Sequence, residues 1–405
     1  MKIAYINSFY APDEVGGAEK SVRFLAETMV QQGHQATVIT LGRSRESAQL
    51  NGVGIERLPI ANLYFPADAG SKASWQKMLW HGIDSYNPSA AQQVGRVLEA
   101  VQPDVVHTNN VAGFSVAVWR TINARNIPIV HTLRDYYLLC ANTAMFKNGH
   151  PCESRCMSCS ILAQPRGRAT TSVQHVVGNS HFILNKHLKE GLFKGVPGSA
   201  IYNAYQPLTL DDHRATDKVT FGFIGRLAPS KGLEFLIQAM RAIPGDPAYE
   251  LIVAGEGEPQ YIEQLKTLAQ GLPIRFLGRV KAEYFYARVH WTIVPSLWDE
   301  PLARVLFESF AHAVPVIGSA TGGTPELIRH GENGFLFTTE SPRPLTMLMQ
   351  DAIACGKEAY ARLSGQASLD GQNFVPKNVA DQYSSIYQKL CLPVTTDSSG
   401  FNTGA

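Results

Sequence analysis

The chain has 405 residues, of which 45% are hydrophobic and 17% are charged, and its formal net charge is +2 at pH 7. This length predicts two domains with separate cores, the composition is ordinary for a globular protein, and no apolar run reaches the roughly 18 residues that predict a membrane span. Residues 1–205 carry 19 Lys/Arg and 13 Asp/Glu, and this basic excess is too small to predict nucleic-acid binding.

Short β-branched runs alternate with longer amphipathic segments in the first half, which is typical of βαβ units around a parallel sheet. The predicted strands cover Lys2–Asn7, Gln35–Thr40, Asp104–His107, Ile127–Leu133 and His175–Gly178. A helix is predicted from Ala18 to Gln32, where Gly33 closes it. The first strand is followed by polar residues within ten positions, so it does not resemble a signal peptide. We therefore expect a cytoplasmic protein.

The second half repeats the pattern from Val219, with strands predicted over Glu250–Ala254, Ile274–Leu277, Trp291–Val294 and Val314–Ile317. The sequence thus predicts domains at 1–205 and 219–375, joined by a turn-rich linker at 206–218. A last helix is predicted over 376–390, before a flexible polar tail at 391–405. The fold class is α/β, with a doubly wound parallel sheet in each domain and ligands at the carboxyl ends of the strands.

Glycine-rich turns follow the first strand of each half. Gly16-Gly17 would let the backbone approach an anion at a helix start, although a plain turn is the alternative. The turn is not G-x-G-x-x-G, which argues against a nicotinamide dehydrogenase. In the second half, Gly225-Arg226 through Lys231-Gly232 places two cations at a strand's carboxyl end. This pattern favours phosphate binding over a solvated turn.

Two carboxylates, Glu300 and Glu308, lie eight residues apart, the second about two turns into a helix predicted from Ala303. One elongated, hydroxyl-rich ligand can contact both, with its anionic middle at the helix N-terminus. A sugar joined through a diphosphate to a ribose has that shape, whereas the alternative is a surface helix with two solvated glutamates. The turn Gly322-Gly-Thr-Pro-Glu326 is predicted at the same end of the same sheet.

Together these motifs resemble the retaining glycosyltransferases of family 4, which have the two-domain GT-B architecture. The resemblance covers residues 1–390 and rests on Gly16-Gly-Ala-Glu19, Pro103-Asp-Val-Val-His107, Gly225-Arg226 through Lys231-Gly232, Gly278-Arg-Val280, Pro295-Ser296, Glu300 through Glu308 and Gly322-Gly-Thr-Pro-Glu326. It implies two Rossmann-like domains facing a central cleft, with the acceptor bound by the N-terminal domain. It also implies that the last helix crosses back onto that domain.

The resemblance further implies transfer of a sugar from a UDP- or GDP-sugar to a glycan or lipid-linked acceptor, in cell-surface polysaccharide synthesis and without a catalytic metal. Arg226 and Lys231 would bind the diphosphate, Glu300 the sugar and Glu308 the ribose. The full expected donor set is Gly16, Gly17, Arg226, Lys231, Gly278, Arg279, Val280, Glu300, Pro301, Leu302, Ala303, Arg304 and Glu308.

Two segments depart from the family pattern. Relatives often have Glu-Gly-Phe-Gly-Leu where this chain has Glu300-Pro-Leu-Ala-Arg304, which could change the sugar that is taken. Relatives also often have His at the position of Arg134, and His131 does not simply replace it. Arg134, Asp135 and His131 are therefore further catalytic candidates beside Arg226, Lys231 and Glu300. A catalytically silent nucleotide-sugar or glycan-binding protein, or a nucleotide-sugar epimerase, is the alternative.

Polar residues near the cleft of the N-terminal domain are candidates for acceptor binding, with capping, packing or loop roles as alternatives. They are Asp13, Glu14, His107, Asn109 and Asn110. The segment Lys72–Ile83 mixes cations with Trp and Leu. It is interpreted either as an amphipathic helix in peripheral contact with the inner face of the membrane or as an ordinary packing helix.

Four cysteines lie within a short insertion at 140–159: Cys140, Cys152, Cys156 and Cys159. Four thiolates at this spacing are typical of a structural zinc site, with unliganded thiols as the alternative. Disulfides are disfavoured in a reducing compartment. The sequence therefore predicts a zinc that staples a loop beside the acceptor cleft.

Overall fold

The computed structural model describes residues 1–12, 16–147, 149–206, 218–243 and 249–392. The strands of the first half are β1 (Lys2–Ile6), β2 (Gln35–Gly42), β3 (Glu46–Leu50), β4 (Val53–Pro59), β5 (Val105–Thr108), β6 (Ile129–Leu133), β7 (Phe146–Lys147), β8 (His150–Pro151), β9 (His175–Gly178) and β10 (Gly198–Ala200). Eight of them form one sheet in the order β10-β9-β6-β5-β1-β2-β4-β3, in which β3 and β4 pair antiparallel and the other described pairs are parallel.

The second half forms a separate parallel sheet. Its strands are β11 (Val219–Ile224), β12 (Tyr249–Ala254), β13 (Ile274–Gly278), β14 (Trp291–Val294), β15 (Val316–Ser319) and β16 (Gly334–Phe337). Their order is β13-β12-β11-β14-β15-β16, so the chain winds outward from β11 in both directions. Ligands of such sheets bind where the winding reverses, here between β11 and β14, and in the first sheet between β1 and β5.

Helices cover both sheets. They are α1 (Gly17–Gln31), α2 (Ser74–Ser85), α3 (Pro88–Val101), α4 (Ala117–Asn123), α5 (Met157–Ala169), α6 (His181–Lys189), α7 (Leu233–Arg241), α8 (Pro259–Leu268), α9 (Ala282–Tyr286), α10 (Arg304–Ala311), α11 (Arg343–Ile353), α12 (Lys357–Gly371) and α13 (Pro376–Cys391). The two doubly wound sheets confirm the predicted α/β fold class. Among the described residues, none of these helices is both long and apolar enough to cross a membrane.

Two predicted strands begin later than expected, and proline explains both. Ile127–Leu133 and Val314–Ile317 each contain a proline at the second position, namely Pro128 and Pro315. Proline has no N–H to donate to the ladder, so β6 starts at Ile129 and β15 at Val316. The sequence analysis also missed the β3–β4 hairpin and the edge strands β10 and β16.

Helix α13 lies on the N-terminal sheet and on α1, although it follows the second sheet in the chain. Gln32 Nε2 donates to Asp381 Oδ1 at 2.7 Å, and Tyr383 and Tyr387 are buried in the core formed with β1 and α1. The helix extends to Cys391, one residue beyond its predicted end. The predicted linker and tail fall largely on residues 207–217 and 393–405, which lie outside the described residues.

Further contacts join the halves across the cleft. Tyr136 OH donates to the carbonyl oxygen of Asp299 at 2.5 Å, and Ser180 Oγ donates to that of Pro301 at 2.5 Å. Glu326 accepts hydrogen bonds from the first two backbone N–H groups of α6 at 2.8 and 2.5 Å. A carboxylate is favourable at a helix N-terminus, so Glu326 caps a helix of the opposite domain.

Candidate active site

The turn after β11 lies at the switch point of the C-terminal sheet. Gly225 (φ +153°) leads into Arg226, whose exposed side chain makes no hydrogen bond or ion pair with a described residue. A Cβ on Gly255 would lie 1.8 Å from the carbonyl oxygen of Gly225, so the adjacent turn approaches as closely as glycine permits. Arg226 therefore presents an unpaired guanidinium at the carboxyl end of β11.

Lys231 connects this turn to the loop after β14. Its Nζ lies 2.6 Å from Glu300 Oε1 and 5.8 Å from the centre of the Trp298 ring. Ser296 Oγ donates to the other carboxylate oxygen of Glu300 at 3.2 Å. The side chains of Lys231 and Glu300 are only 21% and 13% exposed, so solvent screens their attraction less than it screens a surface pair. The pair joins the two loops that flank the switch point.

The turn at Gly322 fixes the backbone of the Glu300 loop. Gly323 N donates to the carbonyl oxygen of Glu300 at 2.9 Å. A Cβ on Gly322 (φ +57°) would lie 2.2 Å from that oxygen and 2.5 Å from the nitrogen of Glu300. Only glycine fits at this position, because both the positive φ and the close approach exclude a side chain.

We expect Gly322→Ala to displace the Glu300 loop and to weaken nucleotide-sugar binding at least about tenfold, or about 1.4 kcal/mol. Calorimetry with UDP- and GDP-sugars measures the effect. The matched control is Gly331→Ala, because Gly331 also has a positive φ (+83°) but no atom within 4 Å of its Cβ position. That control carries only a backbone cost of about 1–2 kcal/mol. Equal loss of binding in both variants would contradict the role given to the close approach.

Helix α10 carries Glu308, which is expected to contact the ribose of the donor, and also Arg304. Arg304 Nε lies 2.5 Å from Glu308 Oε1, and Tyr286 OH lies 3.4 Å from Glu308 Oε2. Glu308 is 8% exposed, and Leu302 and Ala303 are buried just before the helix. A ribose hydroxyl at Glu308 would therefore share this carboxylate with Arg304.

The turn after β13 lies on the same sheet edge. Gly278 (φ +67°) accepts a hydrogen bond from Gly255 N at 2.8 Å, so this turn lies beside the one after β12. Arg279 is exposed, and Val280 packs partly buried against the core that contains Phe285. These residues are accessible to the base of a nucleotide, although β12 lies between their strand, β13, and β11.

The opposite wall of the cleft begins with helix α1. Glu19 Oε2 accepts a hydrogen bond from Gly16 N at 2.8 Å and so closes the first turn. A Cβ on Gly17 would lie 3.1 Å from Arg304 Cδ, so the glycine pair contacts the C-terminal domain directly. The acceptor candidates Asp13 and Glu14 lie outside the described residues.

Arg134 follows β6 on the same wall. Its Nε donates to Asn109 Oδ1 at 2.9 Å, and its Nη1 donates to Asn203 Oδ1. Asp135 accepts a hydrogen bond from Tyr137 N at 2.8 Å, and burial raises the pKa of Asp135 to about 6. Arg134, Asp135 and Asn109 line a small cavity of about 10 Å³. A cavity of this volume holds about one water molecule.

Both histidine candidates are buried and have hydrogen-bond partners within the protein. His107 is fully buried, with Nδ1 2.6 Å from Tyr387 OH and Nε2 2.7 Å from Thr132 Oγ1. His131 is 3% exposed, its Nδ1 lies 2.9 Å from Thr108 Oγ1, and burial lowers its pKa to about 3. Neither is an exposed acid or base in this structure, which favours the packing role that the sequence also allowed for His107, and the catalytic role of His131 stays a prediction.

Asn110 holds its own loop. Its Oδ1 accepts from Ser8 Oγ at 3.1 Å and from Ala112 N at 3.0 Å. The Asn109 amide oxygen accepts a hydrogen bond from Arg134 Nε. The side-chain amides expected to meet the acceptor therefore already have protein partners.

The structure does not arrange the cysteines of the 140–159 insertion as the four-thiolate zinc site that the sequence predicts. The sulfur atoms of Cys140 and Cys159 are 3.8 Å apart, whereas Cys156 is exposed and its sulfur lies 3.3 Å from Ser158 Oγ. Across the part of the chain that the structure describes, no group of three or more His, Cys, Asp or Glu side chains could hold a metal ion. The structure does not support zinc binding by Cys152 or its three neighbours.

Sequence reasoning missed four side chains that shape the cleft: Glu19, Tyr136, Asn203 and Glu326. Glu19 and Glu326 belong to motifs that the sequence analysis quoted, so their position beside the glycine pairs was a usable signal. Asn203 lies 69 residues from its partner Arg134, and no local pattern predicts such a pairing.

Two family models match the chain and cover most of it. One, described as Glycosyltransferase Family 4, matches residues 15–204, and one described as Glycosyl transferases group 1 matches residues 218–354. A relative from Klebsiella pneumoniae, described as an uncharacterized 42.6 kDa protein in the cps region, is 33% identical over 331 residues, covering 81% of this chain and 88% of the relative.

Solved structures show the same architecture at low sequence identity. Sucrose-phosphate synthase from Thermosynechococcus elongatus has a TM-score of 0.76 at 20% identity, covering 96% of this chain and 98% of that chain. Anabaena Alr3699/HepE, solved in complex with UDP-glucose, has a TM-score of 0.68 at 19% identity, covering 96% of this chain and 100% of that chain. This chain therefore has the GT-B fold and belongs to the glycosyltransferases of family 4.

Proposed function

We propose that this glycosyltransferase transfers a sugar, with retention of anomeric configuration, from a UDP- or GDP-sugar to a glycan or lipid-linked acceptor. The observation that carries the proposal is the Lys231–Glu300 pair at the switch point of the C-terminal sheet, beside the unpaired Arg226. A cation for phosphate and a carboxylate for sugar hydroxyls thus lie within one ligand's length. The Anabaena protein of the same fold is described in complex with UDP-glucose.

The reaction places its charge on the leaving nucleoside diphosphate. As the anomeric bond breaks, negative charge develops on the diphosphate, and Arg226, Lys231 and the N-terminus of α10 stabilise it without a divalent ion. Retention of configuration and metal independence follow from the family resemblance. Contacts such as Tyr136 with Asp299 and Ser180 with Pro301 close the cleft over the donor and exclude water.

A slow release assay tests this function. The protein is incubated with UDP- and GDP-sugars, with and without glycan acceptors, and the released nucleoside diphosphate is quantified. Release supports the proposal. The second candidate is a catalytically silent binding protein. The ion pair between Arg304 and Glu308 favours it, because this pair engages the carboxylate that is expected to bind the ribose. Binding by calorimetry with no release under any acceptor would support that candidate, and interconversion of the sugar without release would support an epimerase.

An exposed apolar surface supports a lipid-linked acceptor. Helices α2 and α5 are in contact, and they expose Trp75 (63%), Met78 (69%), Leu79 (48%), Met157 (80%) and Ile161 (66%). Lys72 and Lys77 lie in the same segment as Trp75. Large apolar side chains beside cations suit the interface of an anionic bilayer, so the proposed site of action is the inner face of the membrane.

We expect the triple substitution Trp75→Ser, Met78→Ser, Leu79→Ser to lower binding to phosphatidylglycerol vesicles at least about tenfold, because it removes most of the apolar surface of α2. Co-sedimentation measures the bound fraction, and phosphatidylcholine vesicles report the contribution of charge. The control is Met347→Ser, Leu369→Ser, which removes side chains of similar exposure, 54% and 59%, from the other domain. If wild-type protein does not sediment with anionic vesicles, this surface has another role.

A further inference from the structure

Two arginines contact the segment 203–205 where the domains meet: Arg134 donates to Asn203 Oδ1, and the guanidinium carbon of Arg304 lies 5.6 Å from the centre of the Tyr205 ring. Arg134 belongs to the N-terminal wall and Arg304 to the start of α10. Burial lowers the pKa of Arg134, Tyr383 and Glu19 raise it, and the positive charge of Arg304 lowers it by a smaller amount. Two positive charges in one neighbourhood repel each other, so an anion between or beside the two guanidinium groups would be stabilised by both.

Arg134 has neutral partners and a free edge. The acceptors of its two hydrogen bonds are the amide oxygens of Asn109 and Asn203. Among the described residues, its Nη2 has no hydrogen-bond partner and no carboxylate pairs with the group. A guanidinium held along one edge by amides keeps the other edge available for a bidentate acceptor such as carboxylate or phosphate.

Arg304 is held in place and yet incompletely satisfied. Its guanidinium carbon lies 5.6 Å from the Tyr205 ring centre and 5.9 Å from that of Phe24, so rings of the N-terminal half enclose it. Nε is paired with Glu308, whereas Nη1 is buried and has no hydrogen-bond partner in the part of the chain described.

Leaving buried donors without acceptors is expensive. An unsatisfied buried donor carries its full desolvation cost, which is larger when the group is charged, so such atoms point to a missing partner. Asp135 accepts from Tyr137 N and Glu19 from Gly16 N, and among the described residues neither carboxylate forms an ion pair with Arg134 or Arg304. The proposed side-chain ligands of the donor pyrophosphate, Arg226 and Lys231, follow β11 on the C-terminal sheet, whereas Arg134 follows β6 on the N-terminal sheet.

We propose that Arg134 and Arg304 form a second anion subsite, which takes a carboxylate or phosphate group of the substrates other than the donor pyrophosphate. This inference rests on the proposed function. A carboxylate would belong to a hexuronic acid on the donor, and a phosphate would belong to the acceptor. Either way, the two arginines select an acidic substrate over its neutral counterpart.

Calorimetry separates the two sources. The donors are compared in pairs, UDP-glucose with UDP-glucuronate, UDP-galactose with UDP-galacturonate, and GDP-mannose with GDP-mannuronate. Inorganic phosphate is titrated into protein saturated with UDP or GDP. A charge-assisted hydrogen bond contributes about 1.5–3 kcal/mol, so we expect the acidic member of one pair to bind about 10–150-fold more tightly, or phosphate to bind beside the nucleotide.

The variant Arg134→Gln should reduce the acid-to-neutral ratio, or the phosphate affinity, at least about tenfold. Arg134→Lys keeps the positive charge but loses the bidentate fork. Its acid-to-neutral ratio, or its phosphate affinity, should therefore lie between those of wild type and Arg134→Gln. Arg96→Gln, an exposed position on α3, is the control. Circular dichroism checks that each variant is folded, and if Arg134→Gln is not, Arg134→Lys and Arg304→Gln carry the test.

An acid-to-neutral ratio near one in wild-type protein, together with no phosphate binding, would overturn the subsite. An unchanged ratio in every folded variant would do the same. These outcomes leave the proposed function intact, because that function fails only if no nucleotide sugar releases its diphosphate.

Discussion

Replacing Lys231 with Ala is expected to lower turnover about 10²–10³-fold, the usual loss when one donor to a developing negative charge is removed. Lys231 Nζ lies 2.6 Å from Glu300 Oε1, and the substitution leaves Glu300 with only Ser296 as a described side-chain partner. The variant therefore loses the proposed phosphate ligand and also the group that orients the carboxylate. Release of nucleoside diphosphate, measured as kcat and as donor KM, reports the effect.

The control for this experiment is Lys266→Ala. Lys266 also forms a close pair, 2.7 Å from Glu263, but the pair is exposed on the surface of α8. Arg226→Ala should lower turnover in the same direction, since Arg226 presents the second cation of the turn. Wild-type turnover in Lys231→Ala or in Arg226→Ala would refute the assignment of that residue.

Replacing Arg166 with Leu is expected to destabilise the N-terminal domain by about 3–5 kcal/mol, because it leaves a buried carboxylate without its counter-charge. Arg166 and Asp84 are 1% and 0% exposed, and their Nη2 and Oδ2 atoms are 3.5 Å apart. Asp84 Oδ1 accepts from Gly113 N at 2.6 Å, and Arg166 Nη1 donates to the carbonyl oxygen of Tyr137 at 2.5 Å. The pair thus holds α2 and α5 to the segment that carries Asp135.

The loss of stability in Arg166→Leu should depend on pH. Burial raises the pKa of Asp84 to about 6, above its ordinary value of 3.8. The folded state therefore holds this proton more tightly, and the contribution of Asp84 to stability declines as the pH rises from about 4 to about 6. Without Arg166 the charged carboxylate is more costly, so Arg166→Leu should lose more stability at pH 8 than at pH 5.

Urea unfolding at both pH values measures this difference. Arg168→Leu is the matched control, since Arg168 lies two residues further along α5 and is exposed. The double variant Asp84→Asn, Arg166→Leu should recover part of the stability, because no buried charge remains. A loss of less than about 1 kcal/mol in Arg166→Leu at pH 8 would show that the pair contributes little.

Sequence patterns predicted most strands of both sheets, because periodicity and turn residues are local signals. The predicted starts of β6 and β15 were too early, because each apolar run contains a proline, Pro128 or Pro315, that cannot donate to the ladder. The burial of His107 and His131 was not predicted for another reason. Successive strand residues point to opposite faces, and the sequence alone did not show which face α13 or Trp119 would cover.

The sequence by itself determined the two doubly wound sheets, the glycine turns at their carboxyl edges and the family, since each depends on residues close together in the chain. Only the tertiary structure decided the pairing of Lys231 with Glu300, 69 residues away, and the partners of Arg134. It also decided that Arg304 contacts Gly17. Such pairs depend on how distant loops meet when two domains close, and no local propensity encodes that geometry.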